Sequence, residues 1–278
     1  MTILVCYDSN LQSEAEEVSS KLNSLGYSIL FDRLIAGETD SALYESERVI
    51  AGCLFDMIVS VGGDGTMLRA AQKAVMYDKP VFGINAGRIG FLTAFDFSEL
   101  NRLTSEDISS LSPNERIVLE ISVNGMGDRS FIAVNDAVIG RSRISKTVEL
   151  EVYSDAQKIG EYRGDGVIVS TPTGSTGYSM SAGGPIIDPT LDVIVVTPIC
   201  AHTMFVRSAV LNGSKKISVN ATGRIDSDVY MSIDSTHMIK LEDNFRIEVY
   251  KSSRTLKLLS SAKKDYFDVL NKRIGSVY

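Results

Sequence analysis

The sequence has few of the residues that build disulfide scaffolds or metal sites. Its three cysteines, Cys6, Cys53 and Cys200, are odd in number and far apart, which is typical of reduced thiols. It has only two histidines, His202 and His237, and neither belongs to a His-Glu-x-x-His pattern. We therefore expect neither a disulfide framework nor zinc hydrolase chemistry.

Excess positive charge and long apolar runs are also missing. The chain has 28 basic and 35 acidic residues, a net charge of −7, whereas proteins that bind nucleic acid backbones usually carry a basic surface. No run of about 18 apolar residues occurs, and the first residues lack a basic flank. We therefore expect no nucleic acid partner, no membrane span and no signal peptide, and a cytoplasmic location.

The hydrophobic pattern predicts two kinds of sheet in the 278 residues. Helical stretches at about 11–25, 43–51 and 67–76 separate the first apolar runs, and this alternation is typical of a parallel sheet covered by helices. From about residue 116, short segments of alternating hydrophobicity, with turns such as Asn124-Gly125, indicate antiparallel strands. The predicted fold is an α/β, Rossmann-like N-terminal domain followed by a mostly antiparallel β C-terminal domain.

The predicted domain boundaries follow from that change of pattern. The α/β domain spans residues 1–97 and the β-rich domain spans residues 98–254. The tail, residues 255–278, includes a short helix at about 263–273 that we expect to return to the first domain.

A glycine-rich loop, Gly62-Gly63-Asp64-Gly65-Thr66, follows a predicted strand and precedes a predicted helix. Glycines let backbone N–H groups approach a phosphate, and a helix N-terminus favours an anion. A polyphosphate therefore fits here, and a merely tight turn is the alternative. The loop is not a P-loop, because Gly-Lys-Ser/Thr is absent, and Leu68 stands where the dinucleotide fingerprint needs its third glycine.

Asp64 is the unusual member of this loop. A carboxylate beside bound phosphates is repelled unless it faces a hydroxyl nucleophile or a magnesium ion. Both arrangements belong to phosphoryl transfer, in which an acid accepts the proton of the attacking hydroxyl. The loop therefore predicts a kinase that is neither of the P-loop nor of the protein kinase type.

A second glycine-rich region has no charged side chain between Val167 and Ile187. Within it, Thr171–Ser179 offers hydroxyls, backbone amides and one aromatic ring, which suit a neutral heterocycle such as adenine. A pair of strands bent at glycines, with no ligand, is the alternative interpretation.

Together with Asn135-Asp136, these motifs resemble the NAD kinase family over nearly the whole chain. The Gly62–Thr66 loop alone is shared with diacylglycerol kinases, sphingosine kinases and phosphofructokinases, whereas Asn135-Asp136 and Thr171–Tyr178 are more specific. The resemblance implies transfer of a phosphoryl group from ATP to the adenosine ribose 2′-hydroxyl of NAD, which makes NADP. Asn85–Leu92 is also similar to a family segment whose glycines permit close backbone approach.

The resemblance also implies roles for individual residues. Asp64 is the catalytic base. Donor phosphates bind Gly62, Gly63, Gly65 and Thr66, with Arg69 or Arg88 as a further contact. The dinucleotide contacts Asp64, Gly65, Asn135, Asp136, Lys146, Arg163, Asp165, Thr176, Gly177, Tyr178, Ser179, Ser181, Asp234 and Thr236.

Several of these assignments have simpler alternatives. Many relatives carry Asn-Glu where this chain has Asn135-Asp136, although the charge is kept. Arg163 and Asp165 could form a local salt bridge, Lys146 could be an exposed lysine, and Asp234 could serve its turn alone.

The implied cofactor is Mg²⁺ that enters with the triphosphate, without a dedicated protein site for a metal. The implied assembly is a homodimer or homotetramer, with the active site in a cleft between the domains. Two other functions remain open: a lipid or sugar kinase of the same superfamily, and a dinucleotide-binding sensor without transfer activity. The presence of Asp64 argues against the sensor.

Overall fold

The chain divides into two compact units in the computed structural model, which describes residues 1–34, 54–87, 90–127, 129–141, 147–202, 207–221, 229–261 and 266–275. The first unit is Met1–Glu115 together with Leu256–Tyr278, and the second is Arg116–Thr255. The first unit thus includes residues on the C-terminal side of position 97.

The first unit is built on a parallel sheet. Its strands are β1 (Thr2–Asp8), β2 (Ser28–Leu34), β3 (Met57–Val61), β4 (Val81–Asn85) and β5 (Phe95–Asp96). β1 pairs with β2 and β3, and β4 pairs with β3 and β5, all in parallel. Every residue of β3 and β4 is buried, as expected for strands covered on both faces.

Helices α1 (Gln12–Ser24), α2 (Asp64–Tyr77) and α3 (Ser105–Ser109) belong to this unit, with 3₁₀ turns at Ser9–Leu11 and Phe97–Arg102. Helix α1 lies within the helical stretch predicted at about 11–25, and its Ala15, Val18 and Leu22 are buried. Asn10 lies in the 3₁₀ turn before it. The helix predicted at 43–51 lies outside the described residues.

The second unit consists almost entirely of antiparallel strands. They are β6 (Ser112–Val123), β7 (Ser130–Ala133), β8 (Asp136–Arg141), β9 (Val148–Ser154), β10 (Gln157–Gly164), β11 (Gly166–Ser170), β12 (Val193–Ile199), β13 (Ala209–Asn212), β14 (Ile217–Ala221), β15 (Val229–Ile233), β16 (His237–Leu241) and β17 (Arg246–Ser260). One sheet has the order β13-β12-β11-β8-β15-β16, and the other contains β10-β9-β14-β17 with β6 and β7. This confirms the predicted antiparallel β architecture.

Two further helices complete the described chain. α4 (Tyr178–Ser181) is a single turn of the second unit, and α5 (Tyr266–Gly275) belongs to the first. β17 crosses from the second unit into the first, where Leu258 pairs in parallel with Val81 of β4. No helix in the described ranges has the length and apolar character that crossing a membrane requires.

Candidate active site

The glycine loop connects β3 to α2 and is held by the neighbouring strand. The backbone N–H of Gly62 donates to the carbonyl of Ile84 in β4, at 3.0 Å. Gly62 has φ +149°, and a Cβ there would lie 2.4 Å from Oγ1 of Thr66. Position 62 therefore requires glycine for the chain to turn from strand to helix.

Helix α2 begins inside this loop, three residues before its predicted start. Gly63 is its N-cap and Asp64 its first residue. Apart from adjacent residues and the backbone of α2 itself, a Cβ at Gly63 or Gly65 would meet no atom of the described residues within 4 Å, so the loop has open space around the first turn. A helix N-terminus with backbone donors facing open space is a suitable place for an anion.

Thr66 and Arg69, both predicted to face donor phosphates, contact Asp8 at the end of β1. The Thr66 hydroxyl donates to one Asp8 carboxylate oxygen, and the Arg69 guanidinium pairs with the other. Thr66 is only 4% exposed. In this structure the two side chains therefore tie α2 to β1.

Asp64 is oriented by the backbone that follows β4. Its Oδ1 accepts hydrogen bonds from the N–H groups of Phe91 and Leu92, at 2.9 and 3.4 Å. Hydrogen bonds to a charged acceptor are stronger than neutral ones. The carboxylate predicted to be the base thus has a defined orientation within the first unit.

In the second unit, Asn135 and Asp136 lie where β8 begins, and Asp234 organises their backbone. One carboxylate oxygen of Asp234 accepts from the N–H of Val134 at 2.7 Å, and the other accepts from Asn135 and Asp136 at 2.7 and 3.0 Å. Asp234 is 3% exposed. Its side chain therefore positions the Asn-Asp pair from the turn after β15.

Asp136 is itself buried, at 4% exposure. Burial, reinforced by the charge of Asp234, raises the pKa of the Asp136 carboxyl to about 7. At neutral pH this carboxyl is therefore divided between its neutral and charged forms.

The uncharged glycine-rich segment packs directly against Asn135. The N–H of Thr171 donates to the Asn135 carbonyl at 2.9 Å, and a Cβ at Gly174 would lie 2.2 Å from that carbonyl oxygen. A Cβ at Gly177 would lie 3.6 Å from Nδ2 of Asn135 and 3.9 Å from Oδ2 of Asp136. The structure thus brings together Gly177, Asn135 and Asp136, which were predicted to share a pocket.

The other residues of this segment that were predicted to contact the dinucleotide differ in exposure. Thr176 is half-buried, and Ser181 is exposed. Tyr178 is 47% exposed, and Ser179 is fully buried with its hydroxyl 2.9 Å from that of Thr197. The Tyr178 ring therefore has the accessible face that a stacked base would need.

Arg163 and Asp165, which the resemblance places at the dinucleotide, have different partners in the structure. Arg163 is exposed and lies 3.4 Å from Glu149, whereas Asp165 accepts from Nε of Arg141 at 2.8 Å. Thr236 donates to the Ile233 carbonyl at 3.1 Å within its turn. Lys146 and Arg88 lie outside the described residues.

Two models of known protein families together match most of the chain. The ATP-NAD kinase N-terminal domain matches residues 8–108, and the C-terminal domain matches residues 134–261. An NAD kinase of Symbiobacterium thermophilum is 36% identical over 266 residues, which cover 94% of this chain and 93% of that protein. An NAD kinase of Clostridium perfringens is also 36% identical and covers 80% of this chain and 81% of its own length.

The chain belongs to the NAD kinase family. It is therefore an enzyme and a kinase, as the glycine loop and its acid predicted.

Solved structures of NAD kinases agree with the fold. An NAD kinase from Archaeoglobus fulgidus in complex with ATP has a TM-score of 0.78 at 26% identity, with both chains fully covered. Yeast NADH kinase complexed with NADH has a TM-score of 0.81 at 23% identity, covers 99% of this chain and 87% of its own, and supports the fold alone.

Three contacts of this NAD kinase fold were missed by the sequence analysis. They are the partners of predicted residues: Asp8 at Thr66 and Arg69, Arg141 at Asp165, and the amides of Phe91 and Leu92 at Asp64. Asp8 ends β1, which pairs in parallel with β3, the strand before the glycine loop, so parallel topology could have indicated it. Backbone amides carry no residue-type signal, so the Phe91 and Leu92 contacts were inaccessible from sequence.

Proposed function

We propose that this kinase transfers the γ-phosphoryl group of ATP to the adenosine ribose 2′-hydroxyl of NAD and releases ADP and NADP. The observation that carries the proposal is the oriented carboxylate of Asp64 in the first turn of α2, beside open space at Gly63 and Gly65, in a member of the NAD kinase family. The relatives from Symbiobacterium thermophilum and Clostridium perfringens are NAD kinases, and NAD is the substrate proposed for this chain.

The donor phosphates bind at the glycine loop in this proposal. Gly62 shapes the turn, and the space at Gly63 and Gly65 lets phosphate oxygens reach the backbone N–H groups of α2. Thr66 and Arg69 support the loop through Asp8 and become phosphate contacts only if they exchange that partner.

Magnesium enters with the triphosphate in this proposal. Among the residues that the structure describes, no group of three or more His, Cys, Asp or Glu side chains could hold a metal ion. When bound, a divalent cation would offset the negative charge of the phosphoryl oxygens.

The adenosine part of NAD binds at Asn135, Asp136 and Thr176–Tyr178. The side-chain oxygen of Asn135 is buried and has no hydrogen-bond partner among the residues that the structure describes. A buried acceptor without a partner is costly, so an amino group such as that of adenine would stabilise it. A ribose hydroxyl suits Asp136, and Ser179 and Ser181 complete this half of the site on α4.

The remaining assignments follow from the family resemblance. Asp234 acts on the dinucleotide through Asn135 and Asp136, which it orients. Arg163, Asp165, Lys146 and Thr236 belong to the rim of the dinucleotide site. The enzyme works in the cytoplasm as a homodimer or homotetramer.

The chemical step assigned to Asp64 is proton acceptance. The 2′-oxygen of the ribose forms a bond to the γ-phosphorus of ATP. At the same time the bond between that phosphorus and the β,γ-bridging oxygen breaks, and the bridging oxygen leaves as part of ADP. The hydroxyl proton passes to the Asp64 carboxylate late in a loose transition state. This requires the 2′-oxygen to lie about 3 Å from a carboxylate oxygen.

The test is the Asp64→Asn variant, which keeps the shape of the side chain and removes its charge. NADP formation from NAD and ATP should fall by a factor of about 10² to 10⁴, while NAD binding measured by calorimetry stays within about threefold. Asp243→Asn, in an exposed turn, is the control and should behave as wild type.

Two outcomes contradict the proposal. Wild-type protein that makes no NADP from NAD and ATP would exclude this reaction and leave the lipid or sugar kinase and the sensor. An Asp64→Asn variant with wild-type turnover would show that Asp64 is not the base.

A further inference from the structure

Gly90 lies against the carboxylate of Asp64, although 26 residues separate them along the chain. A Cβ placed at Gly90 would lie 2.8 Å from Oδ1 of Asp64. A Cβ carbon does not approach an oxygen to which it is not covalently bonded so closely. Any side chain at position 90 therefore has to displace the carboxylate of Asp64 or move itself.

The same oxygen is the one held by the two amides that follow Gly90. Phe91 and Leu92 donate to Oδ1 at 2.9 and 3.4 Å, and an amide can reach so near only because position 90 carries no side chain. These two hydrogen bonds to Oδ1 fix the rotation of the Asp64 carboxyl group about its Cβ–Cγ bond. They thereby fix the direction in which Oδ2 points.

Helix α5 contacts this segment from its other side. The Phe91 and Tyr266 ring centroids are 6.4 Å apart, and the Tyr266 ring lies 5.1 Å from that of Phe267 in an edge-to-face contact. The residue whose amide gives the shorter bond to Asp64 is thus packed against the C-terminal helix. All of these residues belong to the first unit.

We propose that residues 90–92 are positioning residues for phosphoryl transfer: glycine at 90 admits the Asp64 carboxylate to the amides of Phe91 and Leu92, and Tyr266 steadies that segment. The inference rests on the proposed role of Asp64 as base. Misplacing a reacting group by about 1 Å can cost about 10² in rate. The segment should therefore govern turnover rather than substrate binding.

The test is Gly90→Ala, with Gly87→Ala as the matched control. Among the described residues, a Cβ at Gly87 would meet only Oδ1 of Asn85, at 4.0 Å, so the control adds the same methyl group to the same segment without a clash there. Gly90→Ala should lower kcat about 10- to 100-fold and leave the KM values for NAD and ATP within about threefold. For Gly87→Ala, kcat and the KM values for NAD and ATP should all remain within about threefold of wild type.

A double-mutant cycle distinguishes a misplaced Asp64 carboxylate from a general disturbance of the enzyme's structure. In an Asp64→Asn background the base is already lost, so adding Gly90→Ala should change the residual rate by less than about twofold. Thermal unfolding and NAD calorimetry check that each variant is folded. If Gly90→Ala does not fold, Tyr266→Leu takes its place, with an expected loss in kcat of about three- to tenfold that also vanishes in the Asp64→Asn background.

Each contrary outcome has its own meaning. A folded Gly90→Ala enzyme with wild-type kcat, or the same fractional loss in the Asp64→Asn background, overturns the positioning role while leaving the kinase function in place. Wild-type protein without NADP formation overturns the proposed function, and this inference with it.

Discussion

Glycines in the two units meet different surroundings. In the loop of the first unit, Gly63 and Gly65 have open space where a side chain would be. In the second unit, a Cβ at Gly166 or Gly174 would lie 2.2 Å from a backbone carbonyl oxygen of a neighbouring segment. Both regions are rich in glycine, yet Gly63 and Gly65 have free space beside them among the described residues, whereas Gly166 and Gly174 do not.

The comparison separates two physical uses of the same residue. Glycine beside open space permits a ligand to approach the backbone, whereas glycine against a carbonyl permits the chain to approach itself. Gly174 belongs to the second kind, although it stands in the segment assigned to adenosine. Its role is to bring Thr171–Tyr178 close to Asn135.

The largest expected effect is that of Gly174→Ala. The added methyl group meets the backbone of Asn135 at 2.2 to 2.7 Å, and backbone atoms cannot move aside as a side chain can. We expect a loss of about 3 kcal/mol or more in the free energy of unfolding. Urea denaturation measures it, and a variant as stable as wild type would remove the distinction between the two kinds of glycine.

The second prediction concerns a carboxyl enclosed in the second unit, in contrast to the half-buried Asp64 of the first. The pKa of Asp136 is raised from 3.8 to about 7, so between about pH 4 and 7 the folded state holds a proton that the unfolded state has lost. The contribution of this group to stability is complete below that window and is lost as the pH rises through about 7. The slope is about 1.4 kcal/mol per pH unit.

Asp136→Asn has no proton to lose and should be free of this dependence. Urea denaturation at pH 5 and pH 7 should show wild type losing about 2 kcal/mol more than the variant over this interval. Equal losses in both proteins would mean that Asp136 titrates in its ordinary range.

The smallest expected change in stability is that of Gly63→Ala, the counterpart of Gly174→Ala. Its φ of −87° is open to alanine, so the unfolding free energy should change by about 1 kcal/mol or less. The methyl group would occupy space assigned to phosphate, and the KM for ATP should rise about tenfold while that for NAD changes little. Steady-state kinetics measure both, and an unchanged KM for ATP would mean that donor phosphates bind elsewhere.

Much of the fold could be predicted because hydrophobic period follows directly from strand and helix geometry. The strand Met57–Val61 lies in the part predicted to form a parallel sheet, and Val229–Ile233 lies in the part predicted to be antiparallel. The start of α2 was placed too late, because Asp64 and Gly65 are poor helix formers in isolation. Their place at the helix N-terminus depends on the turn at Gly62, which the neighbouring β4 supports.

The candidate site divides along similar lines. Side-chain chemistry pointed to Asp64, because an acid in a glycine-rich loop is unusual, whereas Asn135 and Asp136 came from the family resemblance. The contacts that orient them come from residues far away in sequence, such as the 98 residues between Asp136 and Asp234. Such pairings depend on tertiary structure, to which a single sequence gives no direct access.

The long strand β17 has a consequence for anyone who divides this enzyme. Its last residues, from Leu256 onward, are part of the first unit, and Leu258 supplies the neighbour of Val81. A fragment ending near Glu115 would leave Val81 of β4 without that neighbour, and bare strand edges invite aggregation. A workable excision has to join the two distant stretches by a short artificial linker, or keep the polypeptide whole.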